Sequence, residues 1–153
     1  MVAKYVHVKG EVYMVQSKDE PPQGISTFIV KGDISMVVDP GPTSAIPNLE
    51  RCLKALTIEG DLAYVALTHI HLDHAGGSWK LLEDYPRADL YLHPRGAKHM
   101  IDPSRLVEAA RGVMGGEVDG YGEVKGVNPD RVKESENGAE MDLESVKIIT
   151  LWT

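Results

Sequence analysis

Thr68-His69-Ile70-His71-Leu72-Asp73-His74-Ala75-Gly76-Gly77 is the stretch whose reading decides this chain. It packs three histidines and one aspartate into six residues, with an apolar run, Leu62 to Leu67, leading in and two glycines leading out. Imidazoles are borderline nitrogen donors and a carboxylate is a hard oxygen donor. The set suits zinc, iron or manganese better than calcium or magnesium, which prefer all-oxygen shells. His69 and His71 are two apart, so in extended backbone they leave the same face; Asp73 continues the alternation and His74 breaks it. The pattern offers one histidine pair to a first ion and an Asp73–His74 pair to a second. Two neighbouring ions are a recurring hydrolytic arrangement.

Upstream, the chain reads as β. Tyr5 to Val8 and Val12 to Val15 are rich in strand formers with Gly10 between them, and Ser17 to Gly24, holding Pro21-Pro22, reads as a loop. Ile25 to Val30 and Ile34 to Asp39 are strands joined across Lys31-Gly32-Asp33. His7 alternates with Val6 and Val8 and is expected to face solvent. Asp39-Pro40-Gly41-Pro42 forces a turn. Asp39 either bonds nearby backbone amides there or steadies a metal-binding histidine from behind. Ile46, Leu49, Leu53 and Leu56 recur at helical spacing, with Thr43 or Ser44 as expected cap and Cys52 as a core residue. Leu62 to Leu67 is continuous enough to be a strand buried on both faces. The motif then falls at a strand's C-terminal end, where α/β sheets place their ligands.

Downstream, Trp79 to Tyr85 suggests a short helix stopped by Pro86, with Trp79 as a core anchor. Ala88 to Leu92 is a strand ending at His93, a further candidate ligand or substrate contact. Arg95 to Ile101 is helical, and Ser104 is expected to cap Leu106 to Met114. Arg95, Lys98, His99 and Arg105 either meet an anionic substrate group or form a solvated helix face. Residues 115–130 are rich in glycine and read as a loop over the site or as a connector. Arg131 to Ser135 and Val146 to Trp152 close the chain as strands, with a turn at Asn137-Gly138.

His69-x-His71-x-Asp73-His74 resembles the H-x-H-x-D-H signature of the metallo-β-lactamase-fold superfamily, and Asp39-x-Gly41 resembles that family's Asp-x-Gly turn. The resemblance implies an α+β fold, an αβ/βα sandwich of which mainly the first half is present, forming one domain over residues 1–153. It implies one or two zinc ions, with iron or manganese as alternatives, held by His69, His71, Asp73 and His74, and Asp73 as the residue that orients or deprotonates the attacking water. It implies a metal-dependent hydrolase of a small ester, thioester or lactone; a sulfur dioxygenase with one iron and a nuclease share the motif. In the family, the strand matching Val146 to Trp152 runs into a turn with a third histidine ligand. The chain stops at Thr153, so it is expected to be the N-terminal part of such a fold, and a catalytically incomplete fragment is the competing expectation. A half-sandwich exposes a sheet face, so a homodimer or swapped assembly is expected.

Composition narrows the partners. A net charge of −7 with no Lys or Arg cluster favours a small-molecule substrate over nucleic acid. No run of 18 or more apolar residues or signal-like start stands in the sequence, and Cys52 has no cysteine to pair with. A cytoplasmic protein with no membrane span is the expectation.

Overall fold

Strands β1 (Val6–Lys9), β2 (Val12–Gln16), β3 (Ser26–Val30) and β4 (Ser35–Val38) form an antiparallel meander, and β5 (Leu62–Ala66), β6 (Asp89–Leu92) and β7 (Val132–Glu134) extend it in parallel. The seven strands lie in chain order across one sheet. The computed structural model describes residues 4–16, 24–58, 60 and 62–153; the expected loop at Ser17 to Gly24 falls, except for Gly24, outside them, as do residues 1–3.

The switch from antiparallel to parallel follows from the connections. Short turns join β1 to β2 and β3 to β4, whereas β4–β5 and β5–β6 each cross over through helix, which is what parallel neighbours require. The first crossover is α1 (Ile46–Ala55). The second is α2 (Leu72–Ala75) and α3 (Ser78–Asp84), and β6 returns to β7 through α4 (Pro94–Ile101) and α5 (Ser104–Met114).

Strand alternation sorts the two faces. Val15, Ile29, Val37, Val65 and Leu90 point to the side covered by Leu49, Cys52 and Leu53 of α1 and Leu81 and Leu82 of α3, forming the main core. Each such buried aliphatic contributes about 1.5–3 kcal/mol of transfer free energy. Val30 and Met36 point to the other side, against Leu143 of a hairpin made by β8 (Glu140–Asp142) and β9 (Lys147–Ile149). Tyr91, on that second face, shares a 3.0 Å hydroxyl contact with Thr150. The layers are helices, sheet and a small second sheet, an α+β sandwich.

Several expectations change. β5 is buried on one face only; Tyr64 and Ala66 are half-buried because the two-stranded hairpin covers little of the second face. The last strand is shorter than expected, and its partner β8 lies in the polar stretch after the Asn137-Gly138 turn. Thr43 and Ser44 do not cap α1. A 3-10 turn, Thr43–Ala45, leads into it, and Pro47 sits in its first turn. Ser104 is the first residue of α5 and not its cap; the Asp102 carboxylate accepts from the Ser104 amide at 3.1 Å. Cys52 is fully buried as expected, and His7 is exposed.

Candidate metal centre

Asp39 follows the last residue of β4 and takes φ of +51°. Left-handed backbone is uncommon outside glycine, and aspartate tolerates it better than most residues. The surroundings hold it there. Its amide donates to Ala66 O at 2.9 Å, its carbonyl accepts from Thr27 Oγ1 at 2.8 Å, and Gly41 at φ +86° completes the turn. The buried carboxylate is thereby aimed across to the end of β5, where Thr68 and the histidines begin.

Its hydrogen bonds set the imidazoles. Asp39 Oδ1 accepts from the Thr68 amide at 2.8 Å and Oδ2 from Thr68 Oγ1 at 2.6 Å. A hydroxyl has one proton. Since Thr68 gives its proton to Asp39, the 2.8 Å contact between Thr68 Oγ1 and His69 Nδ1 has the imidazole N–H as donor. His74 Nδ1 lies 3.2 Å from Asp39 Oδ2, and a carboxylate only accepts, so this nitrogen donates as well. Both rings therefore carry their proton on Nδ1 and present a bare Nε2, the tautomer a metal ligand needs.

The donors converge. Ligand atoms of Asp39, His69 and His74 lie within 4.8 Å of one another, and the His69 and His74 rings are 4.1 Å apart between centroids. His71 precedes α2 and meets the His69 ring edge-on at 5.0 Å. Asp73, in the first turn of α2, places Oδ2 3.6 Å from His74 Nε2. His74 thus stands between Asp39 on one nitrogen and Asp73 on the other. Two imidazoles and one carboxylate lie within this span, a donor set that suits a borderline divalent cation, and the predicted ligands His71 and Asp73 stand beside this group without joining it. Partial burial foremost, and then the neighbouring His74 and His71 rings, hold the His69 pKa below its ordinary value, while Asp39 and Asp73 pull against them. A neutral His69 is the form that binds metal.

Gly77 and Gly41 lock this corner. Gly77 N donates to Gly41 O at 2.8 Å, and a Cβ on Gly77 would meet Ile46 Cδ1 at 2.7 Å. The Gly76-Gly77 pair serves close approach, with Gly76 in ordinary helical backbone at φ −59°.

Two clefts open beside the motif. One, of about 730 Å³, is lined by His69, His93, Arg95, Lys98 and His99, among others, with Thr153 at its edge. The other, of about 510 Å³, is lined by His71, Asp73, Tyr121 and α5. His93 stands apart from the donor cluster: its Nδ1 accepts from the Arg95 amide at 3.0 Å and caps α4, and its ring packs on Trp152 at 4.3 Å. Part of the glycine-rich stretch does lie by the site. Gly115–Tyr121 forms 3-10 turns pinned by buried Val118, and Tyr121 reaches Asp73's cleft. Burial, then the charges of Asp73 and Glu117, push the Tyr121 phenol up, so it remains a neutral donor. Trp79 packs on the core, and its Nε1 donates to Thr43 Oγ1 at 3.1 Å and Glu123 O at 3.0 Å. Thr68 is the functional residue the sequence reading passed over, although it stands directly before His69.

Among known proteins, the profile of the Metallo-beta-lactamase superfamily matches residues 19–151. The chain is 48% identical over 67 residues to a hydroxyacylglutathione hydrolase of Aeromonas hydrophila, an alignment covering 42% of this chain and 24% of that one. It is 27% identical over 139 residues to a metallo-beta-lactamase fold-containing protein of Sulfurisphaera tokodaii, covering 88% of this chain and 50% of that one. A subclass B3 metallo-beta-lactamase from a soil metagenome superposes with a TM-score of 0.74 at 20% identity, over 99% of this chain and 53% of that one. The chain thus spans about half the length of the longest of these matches and about a quarter of the hydrolase.

Proposed function

The chain belongs to the metallo-beta-lactamase superfamily, and from that premise we propose that it serves a metal-dependent hydrolase acting on a small ester, thioester or lactone. The observation that carries the reading is the Asp39–Thr68–His69 and Asp39–His74 network, which leaves both Nε2 atoms free for a cation. His69, His71, Asp73 and His74 would hold one or two ions, zinc foremost, with iron and manganese compatible with the same donors. A bound ion supplies Lewis acidity and lowers the pKa of a water it holds to about 7.

The chain's own residues supply orientation and proton transfer. Asp39 and Thr68 hold the two imidazoles in register. Asp73, half-buried beside His74, accepts the proton of the attacking water. The water oxygen bonds to the acyl carbon, the acyl C–O or C–S bond breaks, and the leaving oxygen or sulfur takes the proton. Support from similarity comes through the thioester-cleaving hydroxyacylglutathione hydrolases, matched over part of their length.

The test is hydrolysis of p-nitrophenyl acetate and of a thioester, with and without added Zn²⁺ or Mn²⁺, against a His69→Ala/His71→Ala double variant. Metal-dependent turnover lost in the variant is expected; equal rates for the two proteins would sink the enzyme reading. A homodimer or swapped assembly remains part of the proposal, favoured by the exposure of Ile149, which ends the hairpin, at 59% and of Leu151 beyond it at 72%. Light scattering coupled to size exclusion checks it, and a stable monomer at all concentrations refutes it.

A further inference from the structure

Helix α5 carries Leu106, Ala109, Ala110, Val113 and Met114 at spacing i, i+3, i+4, i+7, i+8, the stripe of a helix that faces a core. No residue of α5 is buried, and Val113 is 87% exposed. The stripe forms instead one wall of the 510 Å³ cleft whose opposite wall is His71 and Asp73. That volume lies in the range of small-molecule sites. The small side chains of Ala109 and Ala110 at the middle of this wall leave room there for an apolar chain. Arg105, Glu108 and Arg111 fall off the stripe.

The other cleft has the opposite character. His69 lines it together with Arg95 and Lys98. Neither cation has an ion pair or a side-chain hydrogen bond among the described residues. In a chain of net charge −7, with 23 acidic residues against 16 basic, unpaired cations beside the donor cluster mark a place for an external anion. One cleft takes in His69 and the other His71, two residues on, so the clefts flank the donor cluster.

Resting on the hydrolase reading, we propose that the substrate is an ester or thioester with two unlike arms: an apolar arm along α5, and an anionic arm at Arg95 and Lys98. The scissile carbonyl lies between them, at His69 and His71. The apolar face of α5 is the substrate's seat, continuous with the donor cluster at His71 and Asp73.

Calorimetric titration of the full chain with non-hydrolysable (alkylthio)acetates, propyl to octyl, and with their neutral amides tests this, with and without Zn²⁺. Affinity is expected to rise about fourfold per methylene until the cleft is filled. Val113→Asp, at an exposed position that folding does not depend on, is expected to flatten that slope. Arg95→Glu/Lys98→Glu is expected to weaken the acids about tenfold and leave the amides unchanged. A slope of zero, or one unchanged in Val113→Asp, overturns the proposal, as does loss of the acid preference in wild type. Conversion of a dimer to monomer by Val113→Asp with alkyl binding unaltered also overturns it, since a second copy would then be what covers α5. The parent reading is separable: chain-length-dependent binding with no turnover of the matching thioesters sinks the hydrolase and keeps the two-armed site. Turnover of p-nitrophenyl acetate with no chain-length slope does the reverse.

Discussion

Asp39→Asn isolates the role of one carboxylate, because asparagine keeps the side-chain shape and tolerates the positive φ of +51°. The native carboxylate accepts three hydrogen bonds, from Thr68 N at 2.8 Å, Thr68 Oγ1 at 2.6 Å and His74 Nδ1 at 3.2 Å. Asparagine has one accepting oxygen. With that oxygen on the Thr68 amide, its NH₂ stands where Oδ2 was and faces two former donors. The Thr68 hydroxyl must then accept from the amide and give its proton toward His69 Nδ1, which drives the His69 proton onto Nε2. His74 meets the same NH₂ and must move its own proton to Nε2. Both imidazoles end with the proton on Nε2, the nitrogen the native network offers to a cation. Losing charge-assisted bonds in a buried setting costs about 2–3 kcal/mol of stability. Misplaced supporting hydrogen bonds cost 10–100-fold in metal affinity, and with two ligands affected a value near the upper end, about 100-fold, is expected. Urea unfolding of metal-free protein measures the first quantity, and chelator competition for Zn²⁺ the second. Long-range proton–nitrogen NMR of the imidazoles reads the tautomers directly. Zinc affinity within about threefold of wild type, or Nδ1–H tautomers persisting in the variant, would refute the reasoning.

Other outcomes follow from the same geometry. Thr68→Val severs the relay to His69 and leaves the Asp39–His74 bond, so the NMR should show a changed tautomer balance at His69 alone, with about tenfold weaker zinc binding. Gly77→Ala places a methyl 2.7 Å from Ile46 Cδ1 and 2.9 Å from Gly41 O, and should cost about 1–3 kcal/mol in urea unfolding. For pH, the depressed His69 pKa means that below its ordinary value of about 6.5 the unfolded chain binds more protons than the folded one. Metal-free stability should therefore fall as pH drops below that point and be insensitive to His69 above it; His69→Gln should flatten the acid limb in a stability series.

The histidine-rich part of the candidate site was legible because it is contiguous, running from His69 to His74 on the turn after β5; that Asp39 joins His69 and His74 in one group was not. Strands β3 to β6 were legible for a similar reason, since turn residues and apolar periods alternate cleanly there, whereas their order in the sheet was not read. What joins residues far apart was not. Thr68 and Asp39 are 29 positions apart and His74 and Asp39 35, and no local pattern couples them. β8 reads Glu140-Met141-Asp142, too polar for a strand by composition, and exists because β9 pairs with it and Leu143 is buried beside it. The apolar stripe on α5 follows helical spacing in the sequence, but such spacing reports an apolar face and not what covers it. The caps were misread for a related reason. Thr43 sits where a cap belongs, yet its hydroxyl lies 2.5 Å from Glu123 O and 3.2 Å from Gly76 O, tying the flank of the Asp39 turn to those backbone carbonyls and not to the amides of α1.

That tie shows why the strained aspartate stands where it does. β4 and β5 run parallel, with Val38 paired to Ala66, so the next residue on each strand is where both chains leave the sheet side by side. Asp39 makes one more ladder bond, its amide to Ala66 O, and then bends away in left-handed backbone. Such a conformation costs on the order of 1–3 kcal/mol outside glycine and persists only where the surroundings impose it. Here they do so at three points: the ladder bond, the Thr27 hydroxyl on the carbonyl, and Gly41, whose amide donates to His74 O at 2.9 Å. The last of these fastens the turn to the backbone of a candidate ligand. The bend directs the carboxylate toward the exit of β5, where the Thr68 amide and hydroxyl lie within bonding reach. An ordinary extended residue at position 39 would continue along the sheet and send its side chain to one of the two faces. The bend converts the parallel register of two strands into control over which nitrogen of His69 and His74 holds a proton.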